Sequence, residues 1–174
     1  MKIKPIYVVN IVFIALIIAL LFTPLRGYLQ KIQSSTAESK YAKISQLTPE
    51  QYNIELKGVN TPDVNFKDFK GKKIFLNFWA TWCPICKSEM PDIQTLYNTS
   101  KQDYQFVLIY MKDDRKKVED FLKENSYTFP VYEAVSPIET SLLPTEYPTT
   151  FLIKENGEIQ EKVIGARDWK NLKF

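Results

Sequence analysis

The chain has 174 residues, 45% of them hydrophobic and 25% charged, with two cysteines and no histidine. The lack of histidine excludes a Ser-His-Asp triad, a Cys-His nucleophile pair, an imidazole base and His-ligated zinc, and two cysteines are too few for a four-thiolate zinc site within one chain. The net charge of +3 rests on Lys2, Lys4 and Arg26, and from residue 27 onward 20 basic residues balance 20 acidic ones, which leaves no electrostatic reason to bind nucleic acid.

Residues 5–25 carry no charge and include the run Ile11-Val12-Phe13-Ile14-Ala15-Leu16-Ile17-Ile18-Ala19-Leu20-Leu21-Phe22. As a helix this stretch spans roughly 30 Å, the thickness of a bilayer core. Only Asn10 and Thr23 interrupt it, so it has no polar side to turn toward water, as a buried helix at a protein surface would. A cleaved signal peptide needs a small-residue site, and Leu20-Leu21-Phe22-Thr23-Pro24-Leu25 offers none. The reading is one uncleaved transmembrane helix. Lys2 and Lys4 at one end against Arg26 and Lys31 at the other point to an N-in, C-out topology. Residues 27–50 are polar and weakly periodic and read as a tether. The domain plan is an anchor at 1–26, a tether at 27–50 and an α/β domain at 51–174.

Within that domain, Tyr52-Asn53-Ile54-Glu55-Leu56 alternates as a strand, with Val64-Asn65-Phe66 as its hairpin partner. Lys73-Ile74-Phe75-Leu76-Asn77-Phe78-Trp79 is a mostly apolar run, as expected of a central strand covered on both faces. A helix is predicted from Pro84 to about Ser100, with Ile85, Met90, Ile93 and Leu96 on one side. Tyr104-Gln105-Phe106-Val107-Leu108-Ile109-Tyr110 is a second central strand. Asp113 or Asp114 caps a further helix with a Val118, Phe121, Leu122 stripe. The charge run 112–117 reads as its solvated start. Asn156-Gly157 is a hairpin turn between Thr149-Thr150-Phe151-Leu152-Ile153 and the strand from Glu158 to Ile164. The order βα, βα, hairpin gives an α/β sandwich with a mixed sheet.

The chemistry lies in Trp82-Cys83-Pro84-Ile85-Cys86. Two cysteines three apart at the start of a helix fit one turn, so they can join and separate with little backbone movement. The Cys83 sulfur falls at the helix N-terminus, where unpaired N–H groups and the macrodipole favour a thiolate, the nucleophile of disulfide exchange. Such placement lowers a cysteine pKa from about 8.5 into the range ~3.5–7.5. Pro84 suits the first turn, where its missing N–H is not needed. A structural disulfide closing so short a loop would constrain the unfolded chain little, so a redox pair is the better reading. Half of an intermolecular Cys₄ metal site is the other alternative. Of the nearby aromatics, Trp82 belongs beside the sulfurs in a partner groove and Trp79 in the packing.

The segment from Phe69 to Pro91, which contains Phe78-Trp79-Ala80-Thr81-Trp82-Cys83-Pro84-Ile85-Cys86, together with Tyr147-Pro148-Thr149-Thr150-Phe151, Asn156-Gly157 and Gly165, resembles the thioredoxin superfamily. Within it the chain is similar to the membrane-anchored TlpA/ResA-like thiol-disulfide oxidoreductases, over residues 47–169. The resemblance implies a thioredoxin fold, Cys83 as attacking thiol and Cys86 as resolving thiol, joined as a redox-active disulfide. It implies a cis Pro148 opposite that disulfide with Tyr147 beside it, so that Trp82, Pro84, Tyr147 and Pro148 form the substrate-binding set. It maps the family's acidic residue onto Glu89 as a third catalytic group. A first-turn acid favoured by the dipole and left in solvent is the alternative for Glu89.

Two departures stand out. The carboxylate that many thioredoxins carry six positions before the first cysteine is Asn77 here, which leaves Glu89 to take the role. Beyond Gly165 nine residues remain, at most two helical turns, so the last layer over the sheet is expected to be thin. The implied reaction needs no metal, flavin or nucleotide. Its partners are protein disulfides, a transmembrane thiol carrier that supplies electrons, and the bilayer, with no nucleic acid. The implied place is the outer face of the cytoplasmic membrane, with apocytochrome c or other exported proteins as substrates. A non-catalytic membrane-tethered binding module and a thiol peroxidase are the competing functions. The first sits badly with an intact Cys-x-x-Cys. The second wants a threonine three residues before the nucleophile, whereas Thr81 is two before Cys83.

Overall fold

The computed structural model describes residues 46–170, together with Asn10, Phe13 and Leu172. Those two N-terminal positions apart, the expected anchor at 5–25 and the tether up to residue 45 lie outside the described residues. Among the described residues no helix is long and apolar enough to cross a membrane.

Packing begins within the stretch expected to be a tether. Gln46 bridges to Glu158, and the Leu47 amide donates to Gly157 O at 2.9 Å. Thr48 and Gln51 then cap each other reciprocally, with Pro49 in the first turn, and residues Pro49–Tyr52 form a short helix, α1. The expected strand start at Tyr52 is therefore wrong: the capping box takes that turn, and β1 runs Glu55–Gly58. The alternation read there still holds, since Ile54 and Leu56 are buried while Glu55 and Lys57 are exposed. Gly58 ends β1 where a Cβ would sit 1.7 Å from Thr61 O, so only glycine fits beneath the hairpin turn into β2, Val64–Asn65.

After a 3₁₀ turn at Phe66–Phe69 come β3 (Ile74–Trp79), α2 (Pro84–Ser100), β4 (Gln105–Tyr110) and α3 (Arg115–Glu124). β5 (Val131–Ala134), β6 (Thr149–Ile153) and β7 (Ile159–Ile164) complete the set. β5 has no counterpart in the sequence reading: four residues between Pro130 and the Val-Ser-Pro stretch are too few to show a period. Gly157, at φ +84°, turns the β6–β7 hairpin as Asn-Gly predicts.

The sheet has the order β2-β1-β5-β4-β3-β6-β7. β3 pairs parallel with β4 and antiparallel with β6, so the sheet is mixed. All six residues of β3 are buried, and the pleat divides them between two cores. Phe75 and Trp79 join Cys83, Cys86, Met90, Ile93 and Leu96 under α2, with Val118 and Leu122 of α3. Ile74, Leu76 and Phe78 pack on the other face with Phe66, Phe69, Leu142 and Phe151. Asn77 falls on the α2 face, between Phe75 and Trp79. It is the one polar side chain of β3, and it is fully buried.

Candidate active site

Helix α2 begins at the cysteine pair. Cys83 is its N-cap, with Sγ accepting the Cys86 backbone N–H at 3.1 Å, and Pro84 occupies the first helical position. The first turn of the helix therefore directs a backbone donor that has no intrahelical partner at the first sulfur, the local arrangement that favours a thiolate once the pair is reduced. The two cysteines are joined, with Cα atoms 5.3 Å apart. Cys83 keeps 6% exposure and Cys86 none, so an incoming group can reach only the first sulfur.

The opposite wall comes from the segment before β6. The Tyr147–Pro148 peptide is cis, and Tyr147 O lies 3.8 Å from Cys83 Sγ. The Trp82 ring stands edge-on to Tyr147 at 5.7 Å and is 54% exposed, and Ile85 is 55% exposed on the helix side. Tyr147 lies against Cys83 and Trp82 against Tyr147, Pro84 follows Cys83 in the chain, and Pro148 itself is buried. Trp82, Pro84 and Ile85 leave an exposed apolar rim beside the first sulfur. Trp79, as expected, is packing: it is fully buried against Phe121.

The loop after β4 holds this rim in place. The Met111 amide donates to Trp79 O, Asp113 accepts the Thr81 amide, and the Trp82 indole donates to Lys112 O at 3.0 Å. Lys112 adopts φ +50°, a left-handed conformation that costs a non-glycine residue energy. The run read as a solvated helix start is thus split. Asp114 caps α3 by accepting the Lys117 amide, while Asp113 turns back to the motif loop. Acidic residues at a helix start predict the cap; nothing local in the sequence marks Asp113 for Thr81.

Glu89 lies one turn beyond Cys86 on the same buried face of α2. It is 2% exposed, which removes the alternative of a solvated first-turn acid. Asn77 Nδ2 donates to its Oε1 at 3.1 Å and to Thr150 Oγ1 at 2.8 Å. Asn77 Oδ1 has no hydrogen-bond partner among the described residues, so both contacts of that amide are donations. Trp169 Nε1 donates to Glu89 Oε2 at 2.8 Å. Burial pushes the Glu89 carboxyl up to about 7, against the donations from Trp169, Asn77 and the Arg167 backbone, which favour the charged form, and with a smaller push from Asp92. An acid with that proton affinity exchanges a proton readily near neutrality. The sequence reading places Thr150 in a strand and gives neither Thr150 nor Trp169 a role beside Glu89. Threonine in a strand reads as β-propensity, and a tryptophan eighty residues away carries no local mark of its partner.

Comparison with known proteins agrees with this geometry. The redoxin family model matches residues 45–173. The thiol-disulfide oxidoreductase ResA of Oceanobacillus iheyensis is 39% identical over 110 residues, 62% of this chain and 57% of that protein. The sporulation thiol-disulfide oxidoreductase A of Bacillus subtilis is 33% identical over 123 residues, 68% of this chain and 74% of that protein. The crystal structure of StoA from Bacillus subtilis superposes with a TM-score of 0.58 at 30% identity, over 67% of this chain and 90% of that one.

Proposed function

Since the chain belongs to the redoxin family and is a thiol-disulfide oxidoreductase of the ResA and StoA type, we propose that it reduces disulfides of exported proteins through Cys83 and Cys86. The observation that carries this reading is Cys83 itself. It is a helix N-cap, it is the more accessible of the two sulfurs, and it faces the backbone of Tyr147.

In the reducing direction the Cys83 thiolate attacks one sulfur of the substrate disulfide. The other substrate sulfur leaves as a thiolate and takes up a proton. Cys86 then loses its proton and attacks Cys83 Sγ in the mixed disulfide. The Cys83–Cys86 bond forms and the second substrate thiol departs. Two electrons have passed from the dithiol to the substrate. Glu89 takes the proton that Cys86 gives up and returns one to a leaving sulfur, a task matched to an acid that titrates near neutrality. The exposed Trp82, Pro84 and Ile85, with the half-buried Tyr147 and the backbone at Pro148, hold the substrate chain across Cys83.

The same reading places residues 1–26 in the membrane as an N-in anchor, 27–50 as a tether and 51–174 as a catalytic domain on the outer face. The uncharged stretch 5–25 supports it. An oxidising outer compartment requires the dithiol to be recharged, and a transmembrane thiol carrier is the donor that fits. Apocytochrome c, whose haem attachment needs two free cysteines, is the proposed substrate. The direct test is insulin-disulfide reduction by the full chain with dithiothreitol as electron source. Turnover by the wild type and none by Cys83→Ser supports an enzyme; absence of turnover in both leaves a binding module.

A further inference from the structure

The segment after β7 crosses α2 at Glu89 and Asp92 as a strap. Residues 166–169 form neither helix nor strand, yet Trp169 is fully buried. Its ring meets Phe75 edge-on at 5.0 Å, and its Nε1 donates to Glu89 Oε2 at 2.8 Å. The Arg167 guanidinium lies 5.3 Å over the same indole and pairs with Glu161 of β7 at 2.8 Å. Lys170 pairs with Asp92 of α2 at 2.8 Å. The strap is thus fixed on either side of the indole, to β7 and to the helix that carries the cysteines.

We propose that Trp169 is a positioning residue for Glu89: the strap fixes the carboxylate through the indole N–H and so governs its proton exchange with Cys86. The proposal rests on the role given to Glu89 above. An aromatic ring alone would have filled this space, since the contact to Phe75 is apolar. The donor is what the carboxylate uses. It meets Oε2, while Asn77 from β3 meets Oε1, so each oxygen has one side-chain donor. Both donors are neutral, so they orient the acid without holding it ionised as a cation would. The other groups facing Glu89 are few. Cys86 and Asp92 share its helix, and Asp92 is engaged by Lys170. Thr150 stands behind Asn77. Arg167 turns its backbone N–H toward the acid while its charge is held by Glu161 and the indole face.

Two measurements on the full chain in detergent test this. The first leaves the protein unaltered: ¹⁵N-indole labelling of the three tryptophans. The Trp169 resonance, identified by its loss in Trp169→Phe, is expected to move with pH around a midpoint of about 7 and to stay still in Glu89→Gln. A resonance that is flat in the wild type, or that moves equally in Glu89→Gln, overturns the proposal. The second is the pH profile of Cys83 alkylation. Trp169→Phe keeps the ring and removes the donor to the ionised acid. The limb that depends on Glu89 should move up by about one to two pH units, the worth of one hydrogen bond to a charged group. The same change made in Glu89→Gln should add no shift. A profile unmoved by Trp169→Phe, or moved equally in both backgrounds, overturns the proposal while leaving the role of Glu89 intact. A profile unmoved by Glu89→Gln itself overturns that role and the proposal with it.

Discussion

Asn77 Nδ2 and Glu89 Oε1 lie 3.1 Å apart, and both side chains are buried. Strand β3 and helix α2 meet through this pair, and Thr150 of β6 accepts the second donation of the same amide. Where many thioredoxins present a strand carboxylate, this chain presents an amide, and the acid comes from the helix instead. That carboxylate lies one helical turn beyond Cys86 on the buried face of α2, and burial pushes it up to about 7.

Glu89→Gln is expected to lower the apparent pKa of the active-site thiols. A negative charge one helical turn from a thiol disfavours the thiolate, and the neutral amide removes it. Rates of alkylation by iodoacetamide against pH, for wild type and variant, measure this. Superimposable curves would sink the assignment of Glu89.

Stability should carry the same signature with a definite sign. The folded Glu89 carboxyl binds its proton up to about 7, and the unfolded one lets go near 4.5. Between those values the native state holds more protons than the unfolded state, so stability falls as pH rises through that window and levels off above it. The loss is on the order of 3 kcal/mol for a shift of this size. Urea unfolding of the oxidised fragment 44–174, a compact unit of the chain, at both ends of the window is the measurement. Glu89→Gln should flatten the pH dependence that the wild type shows; equal slopes in both would contradict the buried acid.

Much of this site is legible in the sequence, and the limits of that legibility are physical. The Cys-x-x-Cys spacing, Pro84 and the apolar strand before it locate the cysteines at a helix start. Period and turn chemistry recover β3, α2, β4 and the Asn-Gly hairpin. What escapes is set by distant partners. β1 starts late because Thr48 and Gln51 cap a turn over Tyr52. β5 is too short to show a period and exists because β1 and β4 pair with it on either side. Trp169 lies in a tail too short to show a period, and only the fold brings it to Glu89.

Cys86→Ser should leave Cys83 able to attack and unable to be released, so mixed disulfides with substrate accumulate. Cys83→Ser should trap none. The exposure difference between the two sulfurs is the reason. Non-reducing gels of cells expressing each variant read the result, and equal trapping would overturn the order of attack.

The membrane reading of residues 5–25 makes its own demand. The protein should sediment with membranes and stay there through high salt and alkaline carbonate, since an apolar span is held by the bilayer core and not by charge. A mature N-terminus beginning after residue 20, found by terminal sequencing, would show a cleaved signal instead.

The reduction potential of the Cys83–Cys86 couple tests the central claim most directly. Equilibration of the full chain with a graded thiol–disulfide buffer, read by mass after alkylation, should give one two-electron transition near the value of thioredoxin, about −270 mV. A couple close to the strongly oxidising end, about −120 mV, would make the protein a donor of disulfides and contradict the reducing role.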